Sequence, residues 1–181
     1  SGTFYGKQVL LRRLLTVGFT VDTAEPAMAT LCTVLASSCP ASFKFALLRT
    51  VCNAWNTSAR FHQPVGSCLF GCLSPADDRM SHYLVCPCMA PPALSLLGFC
   101  IPCMVHPPLP WLFSLLSQPT FRLSTLLYID VLFFSYNVAK FGASCAAPLV
   151  FAGRVKDTAK RLPGRSASNL LSPLIVQFVQ S

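Results

Sequence analysis

Apolar positions recur at helical spacing along most of this chain. Lys7 to Val17 predicts a first helix, with Val9, Leu10, Leu14 and Val17 on one side and Gly18 breaking the pattern. Thr23 is placed to cap a second helix that carries Glu25 and Pro26 in its first turn and Met28, Leu31 and Leu35 along one side. The Ser37 to Pro40 stretch closes it. A third helix is expected from Ser42 to Trp55, where Phe45, Leu48, Cys52 and Trp55 form a stripe read as core packing. Asn56 to Ser58 reads as a turn. Further on, Thr120 to Ala147 runs 28 residues without proline. There Leu123, Leu127, Val131, Phe134, Val138 and Phe141 make an apolar stripe, beside a more polar side of Asp130, Asn137, Lys140 and Ser144. Strand signals are weak, and Val131 to Tyr136 is the one run that suits a strand. The fold expected is mostly α.

Between the third and the long helix the pattern changes. Cys68, Cys72, His82 and Cys86 follow one another as Cys-x3-Cys-x9-His-x3-Cys. The first two flank Leu69-Phe70-Gly71, a turn in which Gly71 supplies backbone freedom. The last two are four apart, which places them one turn from each other on a helix. Ser74 as N-cap, Pro75 at the first helical position, Asp77 and Asp78 at the positive end and Pro87 as the stop mark that helix. Three thiols and an imidazole suit Zn2+, and a filled four-ligand set leaves no position for catalysis. Cys88, Cys100, Cys103 and His106 form a competing set in a Pro-rich segment with no helix to fix it, and Cys88 is placed to substitute for Cys86.

Composition narrows the partners. The 181 residues are 53% hydrophobic and only 11% charged, with fifteen prolines, whereas soluble domains are about 25% charged. Between Arg79 and Arg122 lie 42 residues with no Lys, Arg, Asp or Glu and eight prolines, which deny that stretch a helix of the ~20 apolar residues a bilayer needs. Its Pro-free pieces, Ala93 to Ile101 and Trp111 to Gln118, predict short helices among loops. The net charge of +8 suits a polyanion, either nucleic acid or anionic lipid. Ten cysteines in a chain this long point to metal-bound or free thiols in a reducing, intracellular compartment, nuclear or cytoplasmic. Opening at Ser1, the chain reads as an internal or C-terminal piece of something longer.

The order LLRTVCNAWNTSARFHQ, CLFGC, a short acidic stretch and HYLVCP resembles a segment downstream of the polymerase domain in non-LTR retrotransposon reverse transcriptases. The resemblance covers about Phe45 to Pro87. It implies a zinc-knuckle-like module with Cys68, Cys72, His82 and Cys86 as ligands, handling RNA or DNA beside the polymerase portion of a longer protein. Arg60, His62, Arg79 and Tyr83 flank that module and are the expected phosphate-contacting and base-stacking residues. Palm motifs are absent. Tyr128-Ile129-Asp130-Val131 has Val131 where a second metal-binding carboxylate would stand, so no catalysis is expected of this chain.

The organisation expected is a helical lead-in over 1–59, a zinc-knuckle-like module over 60–88, a Pro-rich apolar linker over 89–119, a long apolar helix over 120–152 and a basic tail over 153–181. The function expected is a zinc-stabilised, nucleic-acid-binding accessory region. Two alternatives stand beside it. One is a small membrane-associated protein anchored through 120–153, which must bury or pair Asp130 and Lys140. The other is a degenerate copy with no selected function.

Overall fold

The computed structural model describes residues 2–63, 66–72, 78–98, 100–101, 107–142 and 147–161. Its described residues are mostly helical and include no strand. The helices are α1 (Gly2–Thr16), α2 (Val21–Ala36), α3 (Ala41–Val51), α4 (Met80–Tyr83), α5 (Ala90–Leu97), α6 (Pro108–Ser117), α7 (Pro119–Phe141) and α8 (Ala147–Arg161), with a 3-10 turn at Pro87–Met89 before α5. Helix α7 is central and packs on α3, α6 and α8, while α2 joins α1 to α6 and α5 lies against α8 and α7.

Local chemistry fixes where these helices begin and end. Helix α2 starts earlier than Thr23 predicts, because Thr20 is its N-cap. The Thr20 side chain accepts from the Thr23 backbone N–H at 3.3 Å, and the Thr23 hydroxyl accepts from the Thr20 N–H at 2.9 Å. Two threonines thus form the reciprocal pair that a Ser/Thr and a Glu usually make. Helix α3 stops at Val51 instead of reaching Trp55. Asn53 takes a left-handed φ of 48°, the Ala54 N–H bonds Arg49 O at 2.7 Å, and the Asn53 N–H bonds Thr50 O at 3.0 Å. This is a Schellman ending built on asparagine.

The buried face of α3 also differs from the expected stripe. Phe43, Ala46, Leu47, Thr50 and Val51 are buried, whereas Phe45 is 51% exposed under the Arg49 guanidinium. Trp55 is fully buried, but it enters from the turn after α3. Its Nε1–H donates to Thr50 Oγ1 at 3.1 Å, and its ring meets Tyr83, Phe133 and Tyr136.

Among the described residues the Pro-rich middle forms two short helices, α5 and α6, and they are core rather than linker. Prolines stand in the first turns of α5 and α6, where a missing N–H costs no intrahelical bond. Ala93, Leu97, Leu109, Leu112, Phe113 and Leu116 are buried in the same cluster as Leu14, Leu31 and Tyr128. The boundaries expected near 60, 88 and 120 therefore fall inside one continuous core. Helix α8 likewise runs unbroken across the boundary placed at 152–153. Residues 162–181 of the expected basic tail lie outside the described residues.

Helix α7 is buried around its middle because neighbours surround it. Its buried positions run without a gap from Thr125 to Val131 and on to Leu132, with Ser135 and Tyr136 beyond them, while Phe134 and Phe141 of the predicted stripe are exposed. Asp130 and Lys140 both have partners. Arg154 lies 3.5 Å from Asp130 and caps the Phe134 ring, and Lys140 lies 3.0 Å from Asp78. Burial raises the Asp130 pKa, against the pull of Arg154. No helix among the described residues is long and apolar enough to cross a membrane.

Gly18 joins α1 to α2 at φ 104°, and a methyl group there would overlap the Pro107 ring. Gly18→Ala therefore meets a strained backbone and a clash together. We expect it to lose roughly 2–4 kcal/mol of unfolding free energy, read by urea titration. A loss below about 0.5 kcal/mol would show that this approach is not tight.

Candidate metal centre

Cys68, Cys72, His82 and Cys86 converge, with one ligand atom from each lying within 4.8 Å of all the others. Cys68 Sγ and Cys86 Sγ are 3.8 Å apart, and Cys72 Sγ and His82 Nε2 are 3.3 Å apart. Together they form a cluster able to hold a metal ion. Cys68 and Cys86 are buried, while Cys72 and His82 are half-buried, so the cluster has a dry side and a wet side.

The first half is a tight turn. The Gly71 N–H bonds Cys68 O at 3.1 Å, and Gly71 adopts φ 78°, which a side chain would strain. The second half differs from the helix expected over 75–86. Ser74, Pro75 and Asp77 lie outside the described residues. Helix α4 is a single turn preceded by an extended Arg79. Cys86 is not on it: its ψ of 127° is extended, as the following Pro87 requires, since a proline ring disfavours the α region for the residue before it. The i, i+4 spacing brings His82 and Cys86 together, but the chain leaves the helix to do so.

Tyr83 and Asp78 hold the two halves in register. The Tyr83 hydroxyl accepts from the Leu69 N–H at 3.2 Å and donates to Asp78 Oδ1 at 2.8 Å. Asp78 Oδ2 accepts from the Ser58 N–H and hydroxyl, each at 2.8 Å, and from Lys140 Nζ at 3.0 Å. Two further bonds dock the module, Tyr128 OH to Leu84 O at 2.9 Å and Tyr136 OH to Asn56 O at 2.7 Å.

These contacts correct two sequence expectations. Tyr83 is fully buried, with its ring among Trp55, Phe70 and Tyr136, and presents no face for base stacking. Asp78 is 2% exposed and is a junction between distant segments, not a residue of a helix start.

The electrostatics follow from the packing. The Cys86 S–H pulls the Cys68 pKa down, against burial and with help from His82 and the Cys72 and Phe70 backbone. The same contact pushes Cys86 up, and burial adds to it. Burial pulls the Asp78 carboxyl upward, but the bonds from Ser58, Tyr83 and Lys140 outweigh it and leave the pKa lowered.

Of the flanking residues expected to meet nucleic acid, Arg60, His62 and Arg79 are exposed. His62 sits at φ 52° in the turn that follows Ser58. Between Arg60 and His62, Phe61 is an aromatic not singled out from the sequence, 52% exposed with the Arg60 guanidinium 5.2 Å from its ring. Of the competing ligand set, Cys88 is half-buried and Cys100 exposed, while Cys103 and His106 lie outside the described residues. Compared with known proteins, the chain matches no family model, no curated protein and no solved structure.

Proposed function

We propose that this chain is a zinc-stabilised, nucleic-acid-binding accessory region of a retroelement reverse-transcriptase-like protein, structural rather than catalytic. One observation carries the reading: four soft or borderline ligands from two segments meet in one small volume. Thiolate and imidazole favour zinc over magnesium or calcium. Zinc–sulfur bonds near 2.3 Å imply tetrahedral S···S edges of about 3.8 Å, and zinc–nitrogen bonds near 2.0 Å imply N···S edges of about 3.5 Å. The separations of 3.8 Å and 3.3 Å lie close to both. Cys68, Cys72, His82 and Cys86 would fill all four positions, so the ion would fix a shape.

The nucleic-acid partner, RNA or DNA, is supported by the net charge of +8 and by Arg60, Phe61, His62 and Arg79 lying exposed on the segments that the module joins. The retroelement origin, the polymerase portion as a covalent partner and a nuclear or cytoplasmic setting rest on the resemblance of Phe45 to Pro87. Metal analysis of freshly purified, reduced protein is expected to find one zinc per chain. Affinity for a labelled oligonucleotide is expected to fall linearly in log–log form with salt, as phosphate contacts release counterions. Absence of zinc would sink the structural half of the reading. Salt-independent or undetectable binding would sink the other half.

A further inference from the structure

The metal cluster is not sheltered equally on all sides. Cys68 is 6% exposed and Cys86 fully buried, whereas Cys72 and His82 are half-buried, with Cys72 Sγ 3.3 Å from His82 Nε2. Cys72 follows Gly71, where an added methyl group would meet no atom within 4 Å, so among the described residues the backbone beside this thiol is open. The sulfurs of Cys68 and Cys86 each lie within 4.8 Å of the Cys72 sulfur. One accessible thiol therefore stands next to two sheltered ones.

Such a set has a second chemistry besides ligation. Zinc keeps its thiol ligands deprotonated, and the thiolate is also the form that attacks an oxidant. Among thiolates, susceptibility follows exposure, which singles out Cys72. A second thiolate within reach captures the first oxidation product as a disulfide before it can be oxidised further. The S–S bond is about 2.05 Å long, so sulfurs within 4.8 Å of each other have less than about 2.8 Å to close, a movement that side-chain rotation supplies.

We propose that Cys72 is a redox modification site, oxidised by a peroxide and resolved by Cys68 or Cys86 into a disulfide that ejects the ion. The inference deepens the metal reading above and rests on it. In the first step the Cys72 thiolate attacks one oxygen of hydrogen peroxide, the O–O bond breaks, and hydroxide leaves while Cys72 becomes a sulfenic acid. The thiolate of Cys68 or Cys86 then attacks the Cys72 sulfur, the S–S bond forms, and the sulfenic oxygen leaves as a second hydroxide. Two protons from solvent turn both hydroxides into water, so two thiolates are oxidised and one hydrogen peroxide is reduced. Two of the four ligands are consumed, and the remaining thiol and His82 are too few to hold zinc in a closed site. A dithiol reductant reverses the disulfide by exchange.

The test treats the full metal-loaded chain with near-equimolar hydrogen peroxide, follows free zinc with a chromogenic chelator and maps disulfides by peptide mass spectrometry after free thiols are blocked. Zinc is expected to appear in step with a disulfide joining Cys72 to Cys68 or Cys86, roughly tenfold faster than Cys32 and Cys100, exposed thiols outside the cluster, are modified. Dithiothreitol with added zinc should restore the metal content and the melting curve. Cys72→His keeps a ligand for the ion but removes the oxidisable sulfur, and is expected to slow peroxide-driven zinc release about tenfold. Zinc retained while Cys32 and Cys100 are oxidised, zinc released without a disulfide at Cys72, or release from Cys72→His at the unmodified rate overturns the proposal. If the chain carries no zinc, the metal reading falls by itself, and the same mapping on the metal-free chain decides the site: a disulfide at Cys72 upholds it as a thiol switch, and its absence overturns it.

Discussion

Cys86→Ser is expected to cost the protein its metal and much of its thermal stability together. Cys86 is fully buried, and its sulfur lies 3.8 Å from that of Cys68. A serine hydroxyl is shorter and harder, and it is not a zinc ligand at neutral pH. The loss does not stay local, because Met80, Tyr83, Leu84, Val85 and Met89 from the same segment belong to the common core. Structural zinc contributes apparent free energies of about 10–16 kcal/mol in small modules, against a total stability of about 5–15 kcal/mol for a domain. Even a fifth of that sum, at about 2–4 °C per kcal/mol for a chain of this size, predicts a fall in Tm of roughly 5–10 °C. Chelation of the unmodified chain should reproduce it, and readdition of zinc should reverse it. Ligands must be deprotonated to bind, so metal affinity should decline as pH falls below neutrality. Circular-dichroism melts with and without chelator decide the matter: superimposable curves for both proteins would mean that no structural ion is held.

The convergence of Cys68, Cys72, His82 and Cys86 was legible because such spacing is a local signal. Four residues within nineteen positions, a glycine in the turn and a proline at the end all act over a few bonds. The proline acts differently from the expected helix stop: it turns Cys86 out of the helix. The mostly α fold was legible for the same reason, since periodicity is local. The ends of helices were less so, because the stop of α3 depends on one asparagine tolerating a left-handed backbone, a choice that apolar spacing does not register. What sequence reasoning missed most completely was long-range. Asp78 looked like a helix-start residue and Tyr83 like a surface aromatic because each was judged by its immediate neighbours. Their roles are set by Ser58, twenty residues from Asp78, and by Lys140, sixty-two residues from it. The Pro-rich stretch misled in the opposite direction. Prolines at the first turns of α5 and α6 start helices, and the apolar residues after them are core.

Asp78 is accordingly the second position where a single change should have a large effect. Asp78→Ala would leave the Ser58 N–H, the Tyr83 hydroxyl and the partly buried Lys140 ammonium without their acceptor at once. Breaking one side of a buried charge pair costs about 3–5 kcal/mol, and we expect a loss in that range by urea titration of the metal-loaded protein. Asp78→Asn keeps the shape and one acceptor oxygen and should cost about 1–3 kcal/mol. Lys140→Met added to Asp78→Asn should cost less than the two single losses combined, by about 1 kcal/mol, because the residues share one interaction. Metal affinity should weaken in Asp78→Ala as well, since Tyr83 positions the Leu69 N–H inside the Cys68–Cys72 turn. The pH dependence separates this network from the metal. The Asp78 pKa is lowered on folding, so its contribution is complete above the ordinary aspartate value of about 3.9 and is lost only as pH falls below it. Destabilisation between neutrality and about pH 5 would then belong to ligand protonation, and should disappear in chelated protein, while the Asp78 contribution persists there. An Asp78→Ala protein within about 1 kcal/mol of the unmodified chain would show that the two halves of the metal site are held together by something other than this carboxylate.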